Sequence, residues 1–99
     1  MTRYVIQFRA DPGKSNDAMR LFRHMKDYFK DAHQKTLDVF YQTFGTPGTF
    51  RGVMDFESMS QLEELAMAIR RDPAYQKIAD EARTIFTSDS FSTTVYNEV

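Results

Sequence analysis

The feature that most constrains this chain is a change of hydrophobic period within its first third. Tyr4, Ile6 and Phe8 alternate with Val5, Gln7 and Arg9, the two-residue repeat of a β-strand. Asp11-Pro12-Gly13 interrupts the run, because proline supplies no donor and glycine accepts positive φ. Beyond it Ala18, Leu21, Phe22, Met25, Phe29 and Ala32 recur at helical spacing, within about 100° of arc. The spacing predicts a long helix over roughly 15–34. Ser15 is its expected N-cap, with Asn16 and Asp17 in the first turn, where negative charge suits the helix dipole. A strand followed at once by a helix with one apolar stripe needs a sheet for that stripe to rest on.

The remaining strands are legible further along. Thr36 to Phe44 (TLDVFYQTF) is β-branched and aromatic, Gly45-Thr46-Pro47-Gly48 turns the chain, and TFRGVMDF resumes strand character. Two such runs around a Gly/Pro turn predict an antiparallel hairpin. In the second run Phe50, Gly52, Met54 and Phe56 share a face, opposite Arg51, Val53 and Asp55. Ser58 with Gln61, or Ser60 with Glu63, gives overlapping capping boxes ahead of Leu62, Leu65, Ala66 and Ile69. Asp72-Pro73 then restarts the helix as an N-cap followed by proline at the first position, and the residue before a proline resists helical geometry. Tyr75, Ile78, Ala79, Ala82, Ile85 and Phe86 continue the apolar face. A polar break at Thr87–Ser90 leads to a last strand, FSTTVYNEV. The order β-α-β-β-α-β predicts an α+β, ferredoxin-like fold with a four-stranded antiparallel sheet and its helices on one face.

Composition narrows the functional classes. Ninety-nine residues suit one domain, 1–99, large enough to bury roughly 60–70% of its unfolded surface. The absence of cysteine excludes disulfides, thiolate metal sites and a cysteine nucleophile, and makes a cytoplasmic location the expectation. A net charge of −1 provides no field for nucleic acid or anionic membrane. No apolar run approaches the ~20 residues of a membrane span, and MTRYVIQFRADPG has no signal-peptide h-region. The near-neutral total conceals a division. Residues 1–51 hold nine basic and five acidic side chains, whereas residues 52–99 hold four and nine. Arg20, Arg23, Lys26 and Lys30 make the first helix the basic side, and Glu63, Glu64, Asp80 and Glu81 make the second helical region the acidic one. Such charges ordinarily form solvated faces.

Helices cover only one face of such a sheet, yet apolar residues occupy both: Val5 opposes Ile6, Val39 opposes Phe40, Val53 opposes Met54, and Val95 opposes Tyr96. An uncovered apolar face of several hundred Å² marks an interface. The expected partner is a second copy, packed sheet to sheet with two-fold symmetry. The segments that carry this reading also carry a resemblance. YVIQFRADPG opening into a helix, the hairpin closing in FRGVMDFES, and RRDPAYQKI are similar to the NIPSNAP family of the dimeric α/β-barrel superfamily. The resemblance covers nearly the whole chain, and rests mainly on Asp55-Phe56-Glu57-Ser58 and on Asp72-Pro73 with Tyr75. It implies a symmetric dimer whose two sheets form a barrel, and it implies no agreed reaction. Antibiotic-biosynthesis monooxygenase-like and haem-degrading proteins share that dimeric fold. The haem-degrading branch relies on an Asn, Trp and His trio. This chain has no Trp and carries Gln7 in the polar place of its first strand.

Scans for chemistry are mostly empty. His24 and His33 are nine residues apart, about 900° on a helix, and cannot converge on one metal; His33 is expected at a helix C-terminus, where it suits the dipole. The four glycines form neither GxGxxG nor GKS/T, and no serine lies in a GxSxG elbow. Met25, Met54 and Met67 fit apolar faces or their edges. No cofactor or metal is expected. The candidate ligand-binding residues are the polar groups on or beside the strands: Gln7, Arg9, His33, Tyr41, Arg51, Asp55 and Tyr96. Gln7, Arg9 and Arg51 share one face, with Asp55 a counter-charge four residues from Arg51. Two readings fit them, an ion pair at a barrel rim or an Arg-lined pocket for an anionic or aromatic ligand. The functional expectation is a small-molecule-binding or assembly module. The alternative is a cofactor-independent monooxygenase or isomerase acting on an aromatic or polyketide-like substrate through Arg9, Arg51 and a Tyr or His33.

Overall fold

The computed structural model describes all residues, 1–99. Seven elements follow one another: β1 (Thr2–Arg9), α1 (Ser15–His33), β2 (Asp38–Tyr41), β3 (Thr49–Phe56), α2 (Met59–Arg70), α3 (Pro73–Ile85) and β4 (Ser92–Asn97). The strands form one antiparallel sheet in the order β2-β3-β1-β4, so β1 and β3 are the central pair. This is the expected ferredoxin-like α+β arrangement, with the second helix divided at Asp72-Pro73.

Register explains which side chains meet the helices. Tyr4, Ile6 and Phe8 lie opposite Met54, Gly52 and Phe50 respectively, on the helix side. There they join Leu21, Phe22, Met25, Phe29, Ile78, Ile85 and Phe86 in one core. Phe50 and Leu21 are its largest fully buried side chains. Full burial of such groups stabilises the fold by about 1.5–3 kcal/mol each. Gly52 permits a close approach in mid-sheet: a Cβ there would stand 3.1 Å from Ile6 Cγ2 and 3.3 Å from Leu37 Cδ1. Of the three methionines assigned to apolar faces, Met25 and Met54 are buried, while Met67 is exposed on α2.

Several boundaries differ from expectation, each for a local reason. Lys14, not Ser15, is the N-cap of α1. The backbone turn closed by Lys14 N–H on the Asp11 carbonyl runs straight into the helix, and Ser15 is already its first residue. At the far end Gln34 adopts the left-handed conformation, φ 53°, and its N–H closes α1 on the Lys30 carbonyl. Strand β2 is only Asp38–Tyr41, shorter than the 36–44 run. Leu37 turns into the core, and beyond Tyr41 the Gln42 amide bonds the Phe44 carbonyl at 2.7 Å, curling the chain away from the sheet. Of the two overlapping capping boxes, the structure uses Ser58, which accepts from Gln61 N–H. Asp72 caps α3 as expected, with Pro73 at its start.

Candidate functional site

The layer between the helices and the sheet is incompletely filled. Strand β1 contributes Tyr4, Ile6 and Phe8, and α3 contributes Tyr75, Ile78, Ala79, Ala82 and Arg83. Together with Met25, Phe86, Thr87, Ser88 and Phe91 they line a half-open cavity of about 510 Å³. Its origin lies in the α3 stripe: Ala79 and Ala82 face β1 where larger residues would close the gap. Ten of its thirteen lining residues are hydrophobic, so the wall favours an apolar, ring-bearing occupant. Phe8 stacks on Phe86 at 4.6 Å and tilts against Phe91 at 4.9 Å, giving one wall a broad aromatic surface.

The polar atoms of this cavity are few. Thr87 Oγ1 donates to Asp11 Oδ1 at 2.8 Å, and Arg83 pairs with Asp80 on its own helix. What remains are the Ser88 hydroxyl and the phenols of Tyr4 and Tyr75. Burial, and next the neighbouring Tyr4 phenol, push the Tyr75 hydroxyl above the usual phenol range. It therefore stays protonated at neutral pH, as a hydrogen-bond donor and acceptor and not a base.

None of the seven residues nominated from the sequence lines that cavity. Gln7, Arg9, Arg51, Asp55 and Tyr96 share the opposite, helix-free face, as their register requires. There Arg51 donates to Gln7 Oε1 at 2.6 Å across the central pair. Asp55 does not serve as the counter-charge to Arg51. It takes a bidentate pair from Arg3 at 2.8 and 3.0 Å, because Arg3 is its direct cross-strand partner and Arg51 is two pleat repeats away along its own strand. That pairing holds the Asp55 carboxyl below its usual range. Arg9 closes the row, and its backbone N–H donates to Ser90 Oγ at 3.0 Å. Phe40, Tyr41, Gln42, Thr49, Arg51 and Val53 outline an open recess at the β2 edge. Tyr41 stands opposite Phe50 in the register, its ring edge-on to Phe50 at 5.1 Å, on the helix side and away from the arginines.

His33 is in neither place. It joins a hydrogen-bonded chain at the junction of α1 with α3: Tyr28 Oη donates to Asp72 Oδ2 at 2.5 Å and lies 3.0 Å from His33 Nε2. With its proton committed to the carboxylate, the Tyr28 oxygen can only accept from His33, so Nε2 carries a proton. Burial and then the Asp72 hydrogen bond raise the Tyr28 phenol well above its ordinary range. The Tyr28 hydroxyl, then the Ala74 N–H, hold the Asp72 carboxyl below its own, with the His33 charge a smaller cause. The signs follow. A depressed carboxyl adds stability that is present above its unfolded pKa, about 3.9, and lost as pH falls through the folded value. A raised phenol adds stability that is present below about 10 and lost as pH rises through its folded value. Tyr28→Phe is therefore expected to lower Tm by several degrees, by an amount largest between about pH 5 and 9 and shrinking in acid and in strong base. Thermal melts across pH would contradict this if the gap widened in acid.

Tyr4, Tyr75, Ala79 and Ala82 were all visible in the sequence as core-facing positions. The signal for a cavity was the two alanines on an otherwise bulky stripe, which periodicity counts as apolar without weighing their size.

No protein-family model matches this sequence, and no curated protein matches it at a significant level. The fold has close structural counterparts. An uncharacterized NIPSNAP domain protein from Burkholderia xenovorans superimposes with a TM-score of 0.82 at 12% identity, covering 100% of this chain and 95% of the other. A NIPSNAP family protein with unknown function from Agrobacterium tumefaciens gives 0.82 at 13% identity, over 97% of this chain and 86% of its own. An antibiotic biosynthesis monooxygenase gives 0.78 at 13% identity, over 100% of this chain and 99% of its own. The chain thus carries the ferredoxin-like fold found in NIPSNAP family proteins and in an antibiotic biosynthesis monooxygenase.

Proposed function

We propose that this chain is a small-molecule-binding module, working as one half of a two-chain barrel, and that the helix–sheet cavity holds an apolar, ring-bearing ligand. The observation that carries the reading is the 510 Å³ cavity with a nearly continuous apolar wall and two phenols. The ligand's ring stacks against Phe8, Phe86 and Phe91, and its carbonyl or hydroxyl bonds Tyr4 or Tyr75. The outer sheet face supports the second half of the reading. Val5, Val53, Phe40 and Tyr96 are apolar groups there, with Arg9 and Arg51 toward one end and Asp38 with the neutralised Arg3–Asp55 pair toward the other. A patch with both signs at opposite ends complements a copy of itself when a two-fold axis crosses the strands. In such a dimer the Gln7–Arg51 pair, Arg9, Asp55 and Tyr96 line the space between the sheets. A cytoplasmic location accords with the cysteine-free composition.

The second reading, a cofactor-independent monooxygenase or isomerase acting on an aromatic substrate, draws on the same cavity. The monooxygenase among its structural counterparts and the phenols beside the ligand space favour it. The test is occupancy. Fluorescence titration with 2-naphthol is expected to saturate, and Ala82→Trp, which places an indole in the cavity, is expected to weaken binding by roughly 100-fold or more. Equal affinity in both proteins would place the probe elsewhere and end the reading. Conversion of a bound hydroxylated naphthalene to quinone in air, monitored by absorbance, would favour the enzyme over the binding module.

A further inference from the structure

The Tyr28–Asp72 hydrogen bond stands outside the cavity, yet the residue it reaches governs one of the cavity's walls. Asp72 has two duties. Its Oδ1 accepts the Ala74 N–H at 2.9 Å as the N-cap of α3, and its Oδ2 accepts the Tyr28 hydroxyl of α1. Three residues after the cap stands Tyr75, whose ring meets Tyr28 at 5.7 Å and Phe29 at 5.9 Å and whose phenol faces the cavity. The start of α3 is tied to α2 by Gln76 Nε2 on the Arg70 carbonyl at 3.0 Å, but to α1 its other contacts are ring packing. The backbone between α2 and α3 breaks at Asp72-Pro73, and proline removes the first N–H from any tie. The Asp72 side chain is thus the one polar link from the α3 first turn to α1.

We propose that Tyr28 and Asp72 are positioning residues, a latch between α1 and α3 that sets where the Tyr75 phenol stands in the cavity and thereby the affinity for its ligand. The proposal rests on the reading of the cavity as a binding site. His33 strengthens the latch by donating to the Tyr28 oxygen, since a donor that itself accepts a hydrogen bond is polarised toward its acceptor. A short chain of three side chains ending on a carboxylate fixes orientation better than packing alone, because the two rings of Tyr28 and Tyr75 can slide while a hydrogen bond has a preferred length and angle. A ligand whose polar atom bonds Tyr75 then meets a hydroxyl already in place.

The test compares Tyr28→Phe, Asp72→Ser and Asp72→Asn with the unaltered chain, using 2-naphthol affinity and the ring signals of Tyr75 in proteins carrying labelled tyrosine. Asp72→Ser keeps a cap for α3 but is too short to reach Tyr28, whereas Asp72→Asn keeps the cap through its single oxygen and turns an amide NH2, a donor in place of the acceptor, toward the phenol. The expected result is a roughly tenfold loss of affinity and displaced Tyr75 signals in Tyr28→Phe and Asp72→Ser, and an intermediate loss in Asp72→Asn, whose amide can only donate to the Tyr28 oxygen. Val39→Ala, on the distant β2, supplies a variant of comparable stability loss that should leave both readouts unchanged. Unaltered Tyr75 signals and affinity in Tyr28→Phe, or losses equal to those of Val39→Ala, would overturn the latch. A parent chain that never binds 2-naphthol would overturn the cavity reading instead, and the Tyr75 signals would still decide the latch.

Discussion

Phe22→Ala is expected to lower stability by about 3–5 kcal/mol, the range for deleting a fully enclosed aromatic ring. Phe22 is 2% exposed and lies at the centre of an aromatic group. Its ring is 5.4 Å from Phe50, 5.6 Å from Phe86 and 6.1 Å from Phe8. It is therefore the side chain through which α1, the central strand pair and the end of α3 make common contact. Removing it leaves a void next to an existing cavity, so the surroundings have little to collapse against. A domain with about 5–15 kcal/mol of total stability would be brought to the margin of folding. Urea denaturation followed by circular dichroism measures the effect, and Phe22→Leu should recover most of it. A loss under about 1 kcal/mol in Phe22→Ala would mean that the ring is not the keystone of this core.

Val53→Lys is expected to abolish the proposed dimer while leaving the protomer folded. Val53 lies on the helix-free face beside Val5, in the middle of the central strand pair. On its other side the cross-strand neighbour is Asp38. In a separate protomer the lysine has water and a nearby carboxylate, and opposite charges directly across a sheet are favourable. In a sheet-to-sheet dimer the same ammonium is pressed against its symmetry mate in an apolar patch, and burying unpaired charge costs several kcal/mol. The dissociation constant should rise by roughly 100-fold or more. Light scattering over a concentration series decides the matter. A parent chain that runs at 11.6 kDa throughout would remove the dimer from the functional proposal, while a Val53→Lys variant that stays dimeric would move the interface to another face.

Much of the fold was legible because its signals are local. The stripe from Ala18 to Ala32 is a consequence of helical geometry within one segment, and all of it but Ala32, exposed in the last turn, forms the buried face of α1. Asp72-Pro73 was legible for the same reason, since a cap and a proline act on the peptide units beside them. Alternation in β1 and β3 assigned Ile6, Phe50, Met54 and Phe56 to one face before any pairing was known, because strand side chains alternate whatever the partner.

The site was less legible. Its parts are joined by contacts between distant segments. Arg51 and Asp55 are near in sequence, yet the register gives Asp55 to Arg3 and Arg51 to Gln7. His33 was placed correctly at the end of α1, but its partners Tyr28 and Asp72 are united only when α3 docks on α1. Tyr41 belongs to the opposite side of the sheet from Tyr96 because the short β2 pairs it with Phe50.

By itself the sequence determined the order of the elements, the face each turns inward, the cap at Asp72, and the absence of thiol chemistry. These follow from backbone geometry and side-chain chemistry within a few residues of one another. Only the tertiary structure decided that Ala79 and Ala82 would face β1 across a gap, that Tyr4 and Tyr75 would share its wall, and that one carboxylate would both cap α3 and hold Tyr28. A cavity is a property of the space between elements, and no single segment carries the information for its volume.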